Sequence, residues 1–374
     1  MDASPLMEKR LNQQRSIKQE KGDKTMKKVT IILFVLFASL GGAYAGDPSG
    51  LTDMELLGRH LYKDKNLSFN GTQSCQVCHH PFAGFADRRN ALNPETSVVS
   101  IGADGTSKGG RNAPSSAYAG YSPNLSLDTG EWRGGLFWDG RADGSVLGDP
   151  LAEQAQGPPL NPVEMAMPDK ESIINVIKNS VYADLFISVF GAGSLDDVDE
   201  AYDNFGRAVA AYERSFEVSA FSSKYDLAQD QFTDAEQQGQ GLFENHCAVC
   251  HSTTTDFNAP SALFTNYGYA NIGVPSNPLV PLPSPDPGLG AVVEDPDQDG
   301  KFKIPTLRNI AASPPYTHNG TFASLKDMVA FINNNQGYVP ELDRNIDPRV
   351  GNLGLTDGDI DDLVAFLMTL TDGY

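Results

Sequence analysis

Two five-residue strings constrain this chain more than anything else in it: Cys75-Gln-Val-Cys78-His79 and Cys247-Ala-Val-Cys250-His251, which use all four cysteines. Two thiols three residues apart on one helical turn can each add to a haem vinyl group. The histidine that follows can then swing beneath the iron as an axial ligand. A zinc ribbon also pairs C-x-x-C strings, but at closer separation and without a histidine after each pair. Two disulfides, the ordinary use of four cysteines in an exported chain, would not impose this spacing twice. The strings therefore predict two covalent c-type haems, attached at Cys75, Cys78, Cys247 and Cys250, with His79 and His251 on the irons.

The segments leading into the two strings resemble each other. Thr52-Asp-Met-Glu-Leu-Leu-Gly-Arg-His-Leu-Tyr precedes the first and Thr233-Asp-Ala-Glu-Gln-Gln-Gly-Gln-Gly-Leu-Phe the second. Each opens with a threonine and a glutamate three residues on, the pattern of a capping box at a helix start. Apolar residues at helical spacing predict further helices over Lys170–Phe190, Ala201–Phe216, Ser324–Asn333 and Asp359–Leu370. Strand patterns are scarce. The expected fold is all-α, with two cytochrome c-like helical haem domains at 46–228 and 229–374 and long irregular connections at 91–162 and 258–300.

At the start, Met26-Lys27-Lys28, an apolar run from Val29 to Leu40, and Ala43-Tyr44-Ala45 form the three regions of a secretory signal peptide. The apolar run is too short to span a bilayer. Cleavage near Ala45 and a periplasmic or secreted location are expected, with translation starting at either Met1 or Met26. Without residues 1–45 the formal charge moves from −20 to −24, because eight Lys/Arg and four Asp/Glu leave. So acidic a surface disfavours nucleic acid and anionic lipid; it suits solubility or a basic protein partner. Asp295-Pro-Asp-Gln-Asp-Gly300 looks like the start of a calcium loop, yet Thr306 stands where the bidentate glutamate belongs, so a polar turn is expected.

Further motifs run the length of the chain: Arg111-Asn-Ala-Pro114, Leu136-Phe-Trp-Asp-Gly-Arg141, Glu153-Gln-Ala-Gln-Gly-Pro-Pro-Leu-Asn-Pro-Val-Glu-Met165, Pro305-Thr-Leu-Arg-Asn309 and Pro315-Tyr-Thr-His-Asn-Gly320. With the two cysteine strings, they make the sequence resemble the bacterial di-haem cytochrome c peroxidase and MauG family. The stretch from Arg141 to Leu151 is several residues longer than the family spacing. The resemblance implies that the N-terminal haem meets hydrogen peroxide and that the C-terminal haem stores or relays oxidising equivalents. It makes Trp138 the electron relay between them, Glu164 the distal acid–base carboxylate and Gln154 its amide neighbour. It also implies a calcium ion between the haems, held by Asn112 and the carbonyls of Ser313 and Pro315. Plain alternatives stay open: Trp138 as a core aromatic, Glu164 as a helix-start residue ahead of Lys170, and Asn112 as a turn residue.

The chain departs from the family at two points. Many members place a second histidine on the N-terminal haem, but no histidine lies between His80 and His246 here. His80 directly follows the proximal ligand and cannot reach the opposite face, so a five-coordinate N-terminal iron is expected. On the C-terminal haem the family's sixth ligand, Met or Tyr, falls seventeen residues after Pro315, on Ile332, which cannot ligate iron. Met328, one helical turn earlier, is the preferred substitute over Tyr338, with a core methionine as its plain reading. Three functions remain open at this level. One is a peroxidase fed by a small redox protein such as a cytochrome c or cupredoxin, one a MauG-like oxidation of aromatic residues on a partner protein, and one a di-haem electron carrier. Either a monomer or a homodimer is compatible with the sequence.

Overall fold

A computed structural model describes residues 48–255, 258–281 and 285–374. The expected signal peptide and the polar stretch before it lie outside the described residues. Twelve helices are described: α1 (Asp53–Lys63), α2 (Cys75–Cys78), α3 (Arg88–Leu92), α4 (Pro150–Leu160), α5 (Lys170–Lys178), α6 (Ala183–Phe190), α7 (Val198–Arg214), α8 (Lys224–Leu227), α9 (Asp234–His246), α10 (Leu289–Val293), α11 (Leu325–Asn333) and α12 (Asp357–Met368). Four short strands, β1 (Ser126–Asp128), β2 (Glu131–Arg133), β3 (Tyr269–Ala270) and β4 (Phe302–Lys303), pair antiparallel as β1–β2 and β3–β4.

Both expected capping boxes form. Thr52 accepts from the Glu55 amide while the Glu55 carboxylate accepts from the Thr52 amide, and Thr233 and Glu236 repeat the exchange. Helix α1 buries Leu56, Leu57, Leu61 and Tyr62 against α7. The crossing is close because Gly58 sits in it, where a Cβ would collide with the Ala208 carbonyl. In the second lobe α9 crosses α12 the same way, with Gly239 against the Asp362 carbonyl. Each glycine is six residues past its capping threonine, so the sequence repeat is a repeat of helix crossings. Leu57 and Leu61 are fully buried, and each such side chain contributes roughly 1.5–3 kcal/mol by leaving water.

The described residues from 48 onward belong to one compact unit, and the lobes are locked inside it. The first core draws in Ala259, Leu263 and Tyr267 from beyond the second cysteine string. Arg308 is fully buried, bidentate to Asp226, with its guanidinium 4.9 Å from the Tyr118 ring and 4.5 Å from the Phe221 ring. Near the C-terminus, Asp372 accepts from Tyr118 Oη at 2.7 Å and from Asn309 Nδ2 at 2.9 Å.

The helix expected over Lys170–Phe190 is two helices, α5 and α6, meeting at 105°. Asn179 and Ser180 cause the break: Asn179 Nδ2 donates to Asn175 O, Ser180 Oγ donates to Ile177 O and also accepts from the Tyr182 amide. Such local side-chain bonds offer the backbone an alternative to the helical ladder. The connection 91–162 is less irregular than expected, since it holds the β1–β2 hairpin and α4. Helix α4 starts at an Asp149 cap with Pro150 in its first turn, a legible signal that Gly157-Pro158-Pro159 masks. The added length between Arg141 and Leu151 is folded onto α4, where Glu153 accepts from the amides of Gly144, Val146 and Leu147. Residues 295–300 are a capped turn, as expected.

Candidate haem centres

Each cysteine string forms a tight turn that aims its histidine. In the first, the His79 amide donates to Cys75 O at 2.8 Å; in the second, the His251 amide donates to Cys247 O at 2.8 Å. His79 Nδ1 lies 3.1 Å from Phe85 O and His251 Nδ1 lies 2.8 Å from Phe264 O. Both phenylalanines hold left-handed backbone, φ +61° and +53°, an unfavourable conformation for a bulky residue by about 1–2 kcal/mol. That turn points each carbonyl at the ring. With Nδ1–H donated to a carbonyl, each imidazole keeps its Nε2 lone pair for a metal. Burial lowers both histidine pKa values, that of His251 to about 4, which keeps the rings neutral. None of the four cysteines pairs with another in a disulfide. This donor set fits two c-type haems.

Glu164 lies in the turn after α4, its amide donating to Asn161 O and its carbonyl accepting from the Ala103 amide. It is not a helix-start residue, because Asp169 caps α5. Among the described residues, no protein donor reaches its carboxylate. Burial raises its pKa, while the Arg141 guanidinium pulls the other way. Burial is the main cause that raises the pKa of Cys75 and Cys78, and Glu164 adds a smaller part to both, which places it within reach of the first cysteine string. Arg141 stacks 3.6 Å over the Phe137 ring and pairs with Asp139. Gln154 rides on α4, with no hydrogen bond tying its amide to Glu164 among the described residues.

The second centre opens into a cavity lined by Cys247, Cys250, His251, Met328, Ile332 and Tyr316. Tyr338 does not line it; its ring packs on Phe322 and Phe331. Trp138, Asn112, Ser313 and Pro315 line another part of the same cavity. Trp138 Nε1 donates to Asn112 O at 2.8 Å. Segment 112–115 is a shared wall: it lines this cavity, and the Pro114 carbonyl is close enough to the His79 ring to raise its pKa against the larger, lowering effect of burial. Asn112 Nδ2 donates to Val98 O at 2.9 Å, leaving Oδ1 without a donor. The carbonyls of Ser313 and Pro315 likewise accept no protein hydrogen bond among the described residues. Three neutral oxygens of this kind suit a hard cation.

Three residues near the centres escaped sequence reading. Tyr316, buried in the second cavity, donates to Ile310 O at 3.1 Å. Glu213 on α7 is 3% exposed, its Oε2 has no hydrogen-bond partner, and burial pushes its carboxyl up to about 8. Lys303 is buried with no carboxylate beside it. Glu213 and Lys303 fall on inward positions that only the packed structure identifies; Tyr316 lay in a recognised motif and was passed over. His318, in the Pro315–Gly320 motif, bonds Glu341 at 3.2 Å and stacks on Phe302 at 3.5 Å.

Comparison with known proteins agrees with this geometry. The di-haem cytochrome c peroxidase family matches residues 52–237, and the cytochrome c family residues 236–371. The chain is 38% identical to the methylamine utilization protein MauG of Paracoccus denitrificans, over 91% of this chain and 94% of that one. It is 30% identical to the cytochrome c551 peroxidase of Pseudomonas aeruginosa, over 84% and 78%. Among solved structures, the di-haem peroxidase BthA of Burkholderia thailandensis superimposes with a TM-score of 0.75 at 30% identity, covering 87% of this chain and 86% of that one. With two helical lobes, each carrying a C-x-x-C-H turn, and this likeness along its length, the chain belongs to the bacterial di-haem cytochrome c peroxidase and MauG family and is a di-haem c-type peroxidase acting on hydrogen peroxide.

Proposed function

We propose that the first haem, held by Cys75, Cys78 and His79, is the peroxide site and is five-coordinate at rest, with Glu164 as its acid–base group. The observation that carries this reading is a half-buried carboxyl of raised pKa, with no protein donor on it, whose charge reaches both thiols of that centre. When bound, the haem would supply the redox chemistry of peroxide reduction. Glu164 would take a proton from one peroxide oxygen and return it to the departing one, and Gln154 would orient the peroxide. A carboxyl shifted toward neutral pH serves both halves of that transfer. No histidine competes for the open face: His60 stacks on Tyr182, and His80 Nδ1 accepts from the Phe82 amide.

Trp138 relays electrons between the centres, supported by its bond to the wall that both centres share. Met328 is the sixth ligand at the second centre, supported by its place on the cavity that holds His251. Asn112 Oδ1 and the carbonyls of Ser313 and Pro315 hold a calcium ion. The domains run 46–228 and 229–374, and the signal peptide is removed near Ala45 to give a periplasmic or secreted protein.

The electron source is a small acidic-surface-tolerant redox protein, a cytochrome c or cupredoxin with a basic face. A second reading, oxidation of aromatic side chains on a partner protein, is favoured by the 38% identity to MauG and the missing second histidine. Resting electron paramagnetic resonance spectra test the first-haem reading: high-spin ferric iron is expected, and a purely low-spin spectrum refutes it. Peroxide turnover with a basic cytochrome c then separates the two readings, since a protein-oxidising enzyme would not consume that donor.

A further inference from the structure

Behind Trp138 lies a buried group of side chains that the peroxide reaction as described does not use. Strands β3 and β4 pair Tyr269 with Lys303, and the Lys303 amide donates to Trp138 O at 2.8 Å. Lys303 Nζ is sealed from solvent, 4.8 Å from the Tyr267 ring centre and 5.6 Å from that of Tyr269. Among the described residues, its one side-chain hydrogen bond goes to Gly134 O at 2.8 Å, and Tyr269 Oη donates to that same oxygen at 2.7 Å. The amine and the phenol are therefore within about 5.5 Å of each other, on one acceptor. Tyr269 also packs on Gly140, two residues past Trp138, where any Cβ would strike its hydroxyl.

We propose that Tyr269 and Lys303 form a proton-coupled oxidation site that fills the hole left on Trp138. The inference rests on the reading of Trp138 as the relay. A lysine buried without a carboxylate is held as the neutral amine, because charging it there would leave an ammonium with one carbonyl and two ring faces. Burial lowers its pKa well below the usual lysine range. Tyr269 has the opposite shift: burial and the charge of Asp139 hold the phenol well above its usual range, so it cannot lose a proton unless it also loses an electron.

The step balances between the three side chains. Peroxide-driven oxidation leaves Trp138 as an indole radical cation. One electron passes from the Tyr269 phenol to that indole, which returns to its resting state. The Tyr269 O–H bond breaks and its proton forms an N–H bond on Lys303 Nζ. A neutral tyrosyl radical and a lysine ammonium remain, and the total charge is unchanged. To deliver that proton the Tyr269 hydroxyl turns from Gly134 O toward Lys303 Nζ, while Gly134 O continues to accept from the ammonium.

Freeze-quenched paramagnetic resonance of the holoprotein after one equivalent of peroxide tests this, with ring-deuterated tyrosine incorporated to identify the radical without any substitution. A tyrosyl signal that narrows on deuteration is expected. Tyr269→Phe should abolish it, Tyr267→Phe should leave it, and Lys303→Met should lower its yield by about tenfold or more, the scale of a lost proton acceptor. Haem content and the Soret band show whether each variant has folded. A tryptophanyl signal alone in the wild type overturns the proposal while the relay stands. A tyrosyl signal that survives Tyr269→Phe also overturns it. A signal unchanged by Trp138→Phe refutes the relay and, with it, the transfer step drawn here.

Discussion

Glu213→Gln should change the way stability depends on pH, and by an amount the structure sets. Glu213 sits inside the α1–α7 crossing, 3% exposed, with Oε2 unpaired. Burial is the main cause that pushes its carboxyl from 4.5 to about 8; Arg214 and the Ser116 hydroxyl oppose it and Asp149 adds to it. In the unfolded chain a glutamate titrates near 4.3. The folded state thus holds a proton that the unfolded state has released. Its stabilising contribution is fully present below about pH 4.5 and is lost as pH rises through about 8. At 1.36 kcal/mol per unit, the loss is about 3 to 4 kcal/mol by pH 7 and approaches about 5 kcal/mol above pH 8. Glutamine carries no proton to lose. The stability of Glu213→Gln minus that of the wild type should therefore climb by about 1.4 kcal/mol per pH unit between roughly pH 5 and 8. Guanidinium unfolding followed by far-UV circular dichroism at half-unit pH steps measures it. Any fixed offset from an ill-fitting amide cancels when slopes are compared. Parallel curves for the two proteins would refute the buried neutral carboxyl.

The peroxide site yields three more expectations. Glu164→Gln keeps both haems, counted by pyridine haemochrome, but slows the stopped-flow reaction with peroxide by roughly a hundredfold; unchanged kinetics make Glu164 structural. Trp138→Phe keeps an aromatic ring while giving up some volume and the Nε1 bond to Asn112 O, and should leave the first haem reactive while delaying oxidation of the second; equal rates at the second haem in rapid-mixing spectra exclude the indole route. Met328→Leu removes a thioether of similar size and should lower the potential of the second haem in spectroelectrochemistry, with loss of its thioether charge-transfer band; an unaltered spectrum sends Met328 back to the core.

What the sequence disclosed depended on the range of the interaction. The capping boxes at Thr52 and Thr233 are closed within four residues, and both were legible. So were the haem strings, whose chemistry is local to one turn. The break at Asn179-Ser180 was local too, but a strong apolar period through Ile173, Ile177 and Leu185 overrode the polar signal in the reading. Helix α4 was hidden by its own Gly157-Pro158-Pro159 although Asp149 and Pro150 announce it. The carbonyls of Phe85 and Phe264 that orient the proximal rings could not be read, since left-handed phenylalanine has no sequence signature. Lys303 looks like any strand lysine until Tyr267, Tyr269 and Gly134 close around it from positions 34 to 169 residues away. Glu164 was found through motif likeness; its raised pKa belongs to the packed turn and not to the residue order.

Gly58 and Gly239 stand at the same offset from matching capping threonines and meet a partner helix in the same way. Such a correspondence of spacing, cap and helix crossing marks the two lobes as copies of one structural unit. Divergence then fell elsewhere. One copy carries a carboxyl-bearing turn at Glu164, and the other a methionine on α11. The shared crossing carries neither of these residues, so two copies of one cradle can differ in chemistry through a turn and a helix outside the crossing.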